Sequence, residues 1–284
     1  MKIKKVLKNI LSVLVVVIIS VIIYFIQPYS PIKSEFDKAI FKTADVMMLD
    51  EDVFTEKDIE NLPLPVQKHF RICGYIGTPK MSYMIAVHKN VDFSTGLNKP
   101  TLKIEYTQVN YVKEPIRYAF IDSSMFGIPF QGFDSYVDGK GSMKGVLAKA
   151  VTLFDQRGEE MDKACLVTIL SECLIVPNIA LQDYIKWEEI DNTHAKATIT
   201  YYGMTASGIF TFTENGEMRS FITNDRVAVD FNGNSVQIPW SAVCDNYKDV
   251  NGLRVPTSLK AIWHYPEGEQ TYFDGKSVDI KYIK

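Results

Sequence analysis

Residues 81–88 read "MSYMIAVH", and their periodicity decides the fold. Met81, Tyr83, Ile85 and Val87 alternate with Ser82, Met84, Ala86 and His88, a period of two that belongs to β-strands. Further on, Leu102, Ile104 and Tyr106 alternate with Lys103 and Glu105, the pattern of half-buried antiparallel strands. The same alternation returns after a helical interruption and runs to the end of the chain. Asn215-Gly216, Asn232-Gly233, Asn251-Gly252 and Asp274-Gly275 punctuate it, and these dipeptides favour tight hairpin turns. Hairpins this close in sequence predict a meandering sheet.

Two helical stretches flank the strands. In "FTEKDIENLPLPVQKHFRICG" (54–74), Thr55 and Asp58 have the spacing of a capping box. Pro65 suits the first turn of a second helix and Gly74 its left-handed end. Val66, Phe70 and Cys73 then share one face. The other stretch, residues 159–176, is apolar nearly all round a helical wheel. Its exception is Glu172 in "SECLIVP" (171–177), which projects into the apolar arc with Cys165, Ile169 and Val176. It also lies near a helix C-terminus, where the macrodipole disfavours an anion. An unpaired carboxylate there costs several kcal/mol, so Glu172 needs a partner, a wet cavity or a chemical role. Arg117 and Arg226, both on alternating strands, are its candidate partners. Together these signals describe an α+β domain: a large curved antiparallel β-sheet covered by helices.

The amino terminus, "MKIKKVLKNILSVLVVVIISVIIYFIQPYS" (1–30), is different in kind. Ile10 to Ile26 carries no charge, and as a helix it would extend about 26 Å, enough for a short membrane span. No small-residue cleavage pattern follows it, and no cysteine for a lipid anchor. Lys2, Lys4, Lys5 and Lys8 precede it, so the positive-inside bias places that end in the cytoplasm. The expected organisation is a cytoplasmic tail (1–9), one transmembrane helix (10–27), a tether (28–55) with a short helix around Glu35 to Met48 and the acidic run "DEDVF" (50–54), and an extracytoplasmic domain (56–284). Localisation to the cell membrane as a single-pass protein follows. Since the whole chain has net charge −3, the part after those four lysines carries −7. An acidic body argues against nucleic acid or an anionic bilayer surface as its main partner.

The chemistry-bearing residues are sparse. In "DSYVDGKGSMKG" (134–145) the glycines lack the context of a phosphate loop, and Asp138-Gly139 reads as a hairpin turn. Asp134, Tyr136 and Asp138 alternate, so they share one face; if that face meets Glu172, an acidic cluster forms that could hold a cation or do acid–base chemistry. The four histidines lack zinc spacing, the serines lack a nucleophile elbow, and four scattered cysteines make no disulfide framework. No metal and no cofactor is expected.

"NLPLPVQKHF", "DSYVDGKGSMKG", "ECLIVP", "WEEIDNTHAKATI" and "DNYKDVNGLRVPTSLKAIW", in this order, resemble a bacterial family of uncharacterised proteins, many with an amino-terminal membrane segment. The resemblance spans about residues 62–284 and carries no established activity. It implies recurrent positions at Asp134, Tyr136, Gly139, Gly141, Glu172, Trp187 and Asp191 among others, and a tryptophan three residues after the glutamate, where this chain has Ile175. The hairpin around "YKDVNGLRVP" also looks like those of envelope lipoprotein carriers, which implies an incomplete barrel. The leading functional expectation is a membrane-tethered extracytoplasmic domain binding a lipid, acyl chain or other apolar molecule. Its rivals are a hydrolase using Glu172 with Asp134 or Asp138, and a protein-interaction or envelope-sensing module with a partner the sequence does not name.

Overall fold

The computed structural model describes residues 2–49, 51–94, 96–97, 99–229 and 235–284. The expected turn at Asn232-Gly233, and Asp50 of the acidic run, lie outside the described residues. Five α-helices are described: α1 (Lys2–Ile26), α2 (Pro31–Ala44), α3 (Glu56–Ile59), α4 (Leu64–Ile72) and α5 (Glu159–Glu172). The first half of the strands comprises β1 (Tyr83–Ser94), β2 (Thr101–Tyr111), β3 (Arg117–Met125), β4 (Ile128–Val137), β5 (Lys140–Leu147) and β6 (Val151–Arg157). The second half begins with β7 (Ile185–Glu189), β8 (His194–Tyr201), β9 (Met204–Phe212) and β10 (Met218–Thr223). It continues through β11 (Val227–Val229), β12 (Ser235–Gln237), β13 (Trp240–Asp245), β14 (Lys248–Val250) and β15 (Leu253–Val255). The chain closes with β16 (Ser258–Tyr265), β17 (Gly268–Gly275) and β18 (Val278–Ile283).

Among the described residues, fourteen strands form one antiparallel sheet in the order β6-β5-β4-β3-β2-β1-β17-β16-β13-β10-β9-β8-β7, with β18 paired to β1. The sheet is an open, large antiparallel one with helices against it, as the alternating sequence predicts. Two meanders meet at β1. Their direct pairing there is short: Asp92 faces Asp274 and Phe93 faces Phe273. The sheet nevertheless curves far enough for its arms to meet, since the Tyr202 side chain packs on Gly139 and its hydroxyl donates to Asp138 at 3.4 Å.

Three of the four expected hairpin dipeptides can be compared with structure. Asn215-Gly216 turns β9 into β10, and Asn251-Gly252 joins β14 to β15, with φ of 53° and 83°. Asp274-Gly275 is not a hairpin. β17 and β18 both run antiparallel to β1 and keep the same register against it, so they are one long strand interrupted at 276–277. A glycine is needed there because a Cβ on Gly275 would come within 2.9 Å of the His88 ring.

Both faces of the first meander are covered. On the convex side, α2 lays Ile32 and Phe36 against Val109, Tyr111, Tyr118, Phe120, Phe133 and Val146. Ser30 caps this helix by accepting from the Lys33 amide at 3.2 Å, Pro31 fills its first position, and Thr43 and the Tyr118 hydroxyl hydrogen-bond at 2.9 Å at its other end. Residues 31–44 of the expected tether are thus a helix packed on the sheet. On the concave side, α5 covers β4, β5 and β6, while α4 packs beside β8 of the second meander and buries Val66 and Phe70 in the main core, with Cys73 just beyond its end. The Thr55 amide donates to Asp58 at 2.7 Å, as the capping spacing requires. By contrast, α1 is exposed along almost its whole length, and it is long and apolar enough to cross a membrane.

Candidate functional site

Helix α5 lies in the concavity against β4, β5, β6, β8 and β9. Its close approach depends on Gly141, where a Cβ would meet the Met161 carbonyl oxygen at 2.5 Å and the Cys165 sulfur at 2.9 Å. The Asp162 carboxylate fastens the same contact, accepting from the Gly141 amide at 2.7 Å and from Lys140 Nζ at 2.9 Å. The glycines of "DGKG" therefore serve packing and a turn, in which Asp138 and Gly139 have φ of 52° and 75°. The regular helix ends at Glu172, four residues short of the expected 176, and continues as buried turns into a single 3-10 turn at Pro177–Ile179.

Directly opposite residues on neighbouring strands project to the same face. The register thereby writes out the floor beneath α5: Met84, Asn110, Arg117, Tyr136 and Gly141 form one row across β1–β5. The next row is Ala86, Gln108, Ala119, Asp134 and Met143, and the third begins His88, Tyr106 and Ile121. Glu172 descends onto the first row. Arg117 donates to it twice, from Nε at 3.0 Å and from Nη2 at 3.2 Å, and Asn110 Nδ2 donates at 2.6 Å. The same Nη2 donates to the Tyr106 hydroxyl at 2.7 Å and to Gln108 Oε1 at 3.2 Å. Burial opposes the Arg117 charge, but Glu172 and Tyr106 outweigh it and hold the guanidinium well above its ordinary pKa. The side chains of Arg117 and Glu172 are only 9% and 14% exposed. A charge-assisted, two-pronged pair of this kind meets the demand that a helix C-terminus and an apolar face impose on Glu172.

Asp134 stands one row away. Burial raises its pKa to about 6, against the opposing pull of Arg117 and Arg226, and its Oδ1 has no hydrogen-bond partner. His88 lies between the Tyr106 and Phe273 rings, at 5.8 and 5.4 Å between centroids. Burial lowers its pKa to about 4, and neither ring nitrogen has a partner. The Tyr136 hydroxyl is likewise sealed without one. Burial pushes the Cys165 thiol up to about 12, so it is a packing group and not a nucleophile.

Of the six residues singled out in the sequence, Arg117, Asp134, Tyr136 and Glu172 face the concavity together. Arg226 takes no part in the Glu172 pair: it donates to Thr168 Oγ1 at 3.0 Å and lies over Trp240 and Trp263, 4.6 and 5.6 Å from the ring centres. Asp138 is exposed in its turn, away from Glu172. The alternation that put it on the face of Asp134 ends with β4 at Val137, because the turn rotates the backbone. Tyr106, Gln108, Asn110 and His88 were not singled out. The signal for the first three was present, since they alternate in phase with Leu102 and Ile104, which mark the inward face. Among the described residues, no group of three or more His, Cys, Asp or Glu could hold a metal ion.

The concave face changes character beyond this network. Val91, Ile104, Tyr106, Ala119 and Ile121 form a separate buried apolar cluster, flanked by half-buried Phe93, Leu102, Met143 and Phe273. Every described member comes from a strand, and none from a helix. Surface clefts lie elsewhere. One of about 630 Å3 opens at the N-terminal end of α5 near Lys140, Arg157 and Tyr202, and one of about 580 Å3 lies where α1 meets α2.

No curated protein matches this chain. A solved structure, the crystal structure of LolA superfamily protein NE2245 from Nitrosomonas europaea, is similar at 12% identity and a TM-score of 0.41, covering 78% of this chain and 92% of that one. A family model matches residues 52–275, so the chain belongs to a family of unknown function, DUF6544.

Proposed function

We propose that this protein is a membrane-tethered, extracytoplasmic binding domain for an amphipathic lipid or a long-chain acid. One observation carries the reading: on a single concave face, an apolar strand surface without helix residues adjoins buried polar atoms that lack partners. Half-buried Phe93, Leu102 and Phe273 offer the surface for a hydrocarbon chain, backed by the fully buried Val91, Ile104 and Ile121. Asp134 Oδ1 and both His88 nitrogens are the unpaired atoms beside it, and an unpaired buried polar atom costs about 1–3 kcal/mol that a ligand's polar group would recover. Arg226, whose charge already acts on Asp134, supplies positive charge for an acidic head. Ligand sites are commonly apolar with a few convergent polar groups.

The reading is tested with a fatty acid carrying a photoactivatable diazirine at its chain end, added to the full chain in lipid nanodiscs. Cross-links mapped to Phe93, Leu102 or Phe273, and competed away by unlabelled fatty acid, support it. Cross-links confined to residues of α1, or unchanged by occupying the face with Leu102→Trp, refute it.

A further inference from the structure

The turn between β3 and β4 is made by Phe126 and Gly127, with φ of 53° and 80°. Two successive left-handed residues define a tight hairpin turn in which Asn, Asp or Gly normally stands first. A large aromatic ring is poorly suited to that backbone. Phe126 is also 101% exposed, so its ring touches nothing in the protein. The residue is unfavourable on both counts, and a locally costly residue at a loop tip points to a function outside the domain.

The next turn on the same rim shows what lies outside. Because the strands alternate in direction, the β3–β4 and β5–β6 turns stand side by side, and the Ala148 amide donates to the Pro129 carbonyl at 2.7 Å. Ala148 and Lys149 form the β5–β6 turn, again with left-handed φ of 54° and 58°. Lys149 is only 4% exposed. Its ammonium donates to the carbonyls of Tyr24 at 3.3 Å, Tyr29 at 3.4 Å and Gln27, and lies 5.9 Å from the Tyr24 ring centre. These carbonyls are those of the end of α1 and the residues just after it, where the macrodipole is negative. The hairpin tip is therefore fastened to the point at which the apolar helix emerges. Exposed Ile128, Val151 and Leu153 flank the two turns.

We propose that this rim is a second, apolar contact with the bilayer that α1 crosses, with Phe126 inserted among the lipid chains. The inference rests on the membrane-anchor reading of α1. It needs no anionic lipid, since the inserting groups are uncharged, which agrees with the acidic body of the chain. It also fixes orientation: the rim toward which the apolar end of the concave face opens, beyond Phe93 and Leu102, is turned to the membrane.

The test uses the full chain reconstituted in phosphatidylcholine vesicles, with a polarity-sensitive fluorophore on Phe126→Cys or on Lys113→Cys, in the β2–β3 turn at the opposite end. An unmodified chain controls for labelling of the native cysteines. Flotation with the vesicles reports on the anchor separately. The expected result is flotation of both variants, with blue-shifted emission and loss of intensity to nitroxide-bearing lipids at position 126 only. Flotation with a water-like label at 126 overturns the rim contact and leaves the anchor standing, as does equal quenching at both positions. Failure to float removes the anchor reading and this inference with it.

Discussion

Substituting Arg117 with methionine leaves Glu172 in place but takes away its cation. The guanidinium makes two bonds to the carboxylate, at 3.0 and 3.2 Å, and after the change Asn110 alone of its present partners remains. Breaking one side of a buried pair costs about 3–5 kcal/mol, because the surviving charge stays uncompensated. In a domain of this size each kcal/mol lowers Tm by roughly 2–4 °C, so a fall of about 6–20 °C is expected. Thermal unfolding of the full chain in detergent, followed by near-ultraviolet circular dichroism, measures it. The decisive partner is Arg117→Met with Glu172→Leu. Replacing both charges with apolar groups of similar volume is often neutral or stabilising, so the double variant should recover most of the lost Tm. A single variant within about 2 °C of wild type, or a double variant whose loss equals the sum of the two single losses, would refute the account of Glu172 as a charge held by one arginine.

Three further outcomes follow from the same interior. Asp134→Asn should stabilise at pH 7.5 and not below pH 4: a carboxyl whose folded pKa is raised from 3.8 to about 6 binds more protons folded than unfolded, so wild-type stability falls as pH rises through that window. Denaturant titrations at the two pH values check it, with a gain of about 1–3 kcal/mol at the upper one. His88→Phe should act in the opposite sense, because a folded pKa lowered from 6.5 to about 4 makes wild-type stability fall as pH drops through that interval; the variant should lose this acid sensitivity in the same titration. Gly141→Ala should lower the urea midpoint by the equivalent of about 1–3 kcal/mol, since its methyl group would press on the Met161 carbonyl oxygen at 2.5 Å and force α5 away from the sheet.

Much of this architecture is legible in the chain because local chemistry and global fold agree there. The period-two run at 81–88, the capping pair Thr55–Asp58 and the Asn251-Gly252 turn each act over a few residues, and each is found where its local physics requires. Glu172 was legible as an anomaly, since a carboxylate in an apolar arc needs a partner whatever the tertiary structure. Its choice of Arg117 over Arg226 was not. That depends on which strands neighbour β2, and so on contacts more than fifty residues apart in sequence. Asp274-Gly275 misled for a related reason: the dipeptide permits a turn, but pairing of both flanking segments with β1 holds the backbone extended through it. Asp138 shows the limit of alternation, which carries information only while the strand lasts. For α2 the helix itself was legible, since Ile32, Phe36, Ala39, Ile40 and Thr43 recur at helical spacing, but the face of the sheet that receives this stripe depends on distant strands.

The short junction between the two meanders has a mechanical consequence. Among the described residues two ladder pairs, Asp92–Asp274 and Phe93–Phe273, join β1 to β17, whereas β18 grips β1 along six residue pairs. The backbone ladder is thus thinnest beside Gly275, where the His88 ring is wedged, and the two meanders are held together instead by α5, packed on strands of both, and by the Asp92–Lys276 ion pair. Changing the spacing between Phe273 and Ile104 would therefore require α5 to give up the strands of one meander and Tyr202 to leave Gly139.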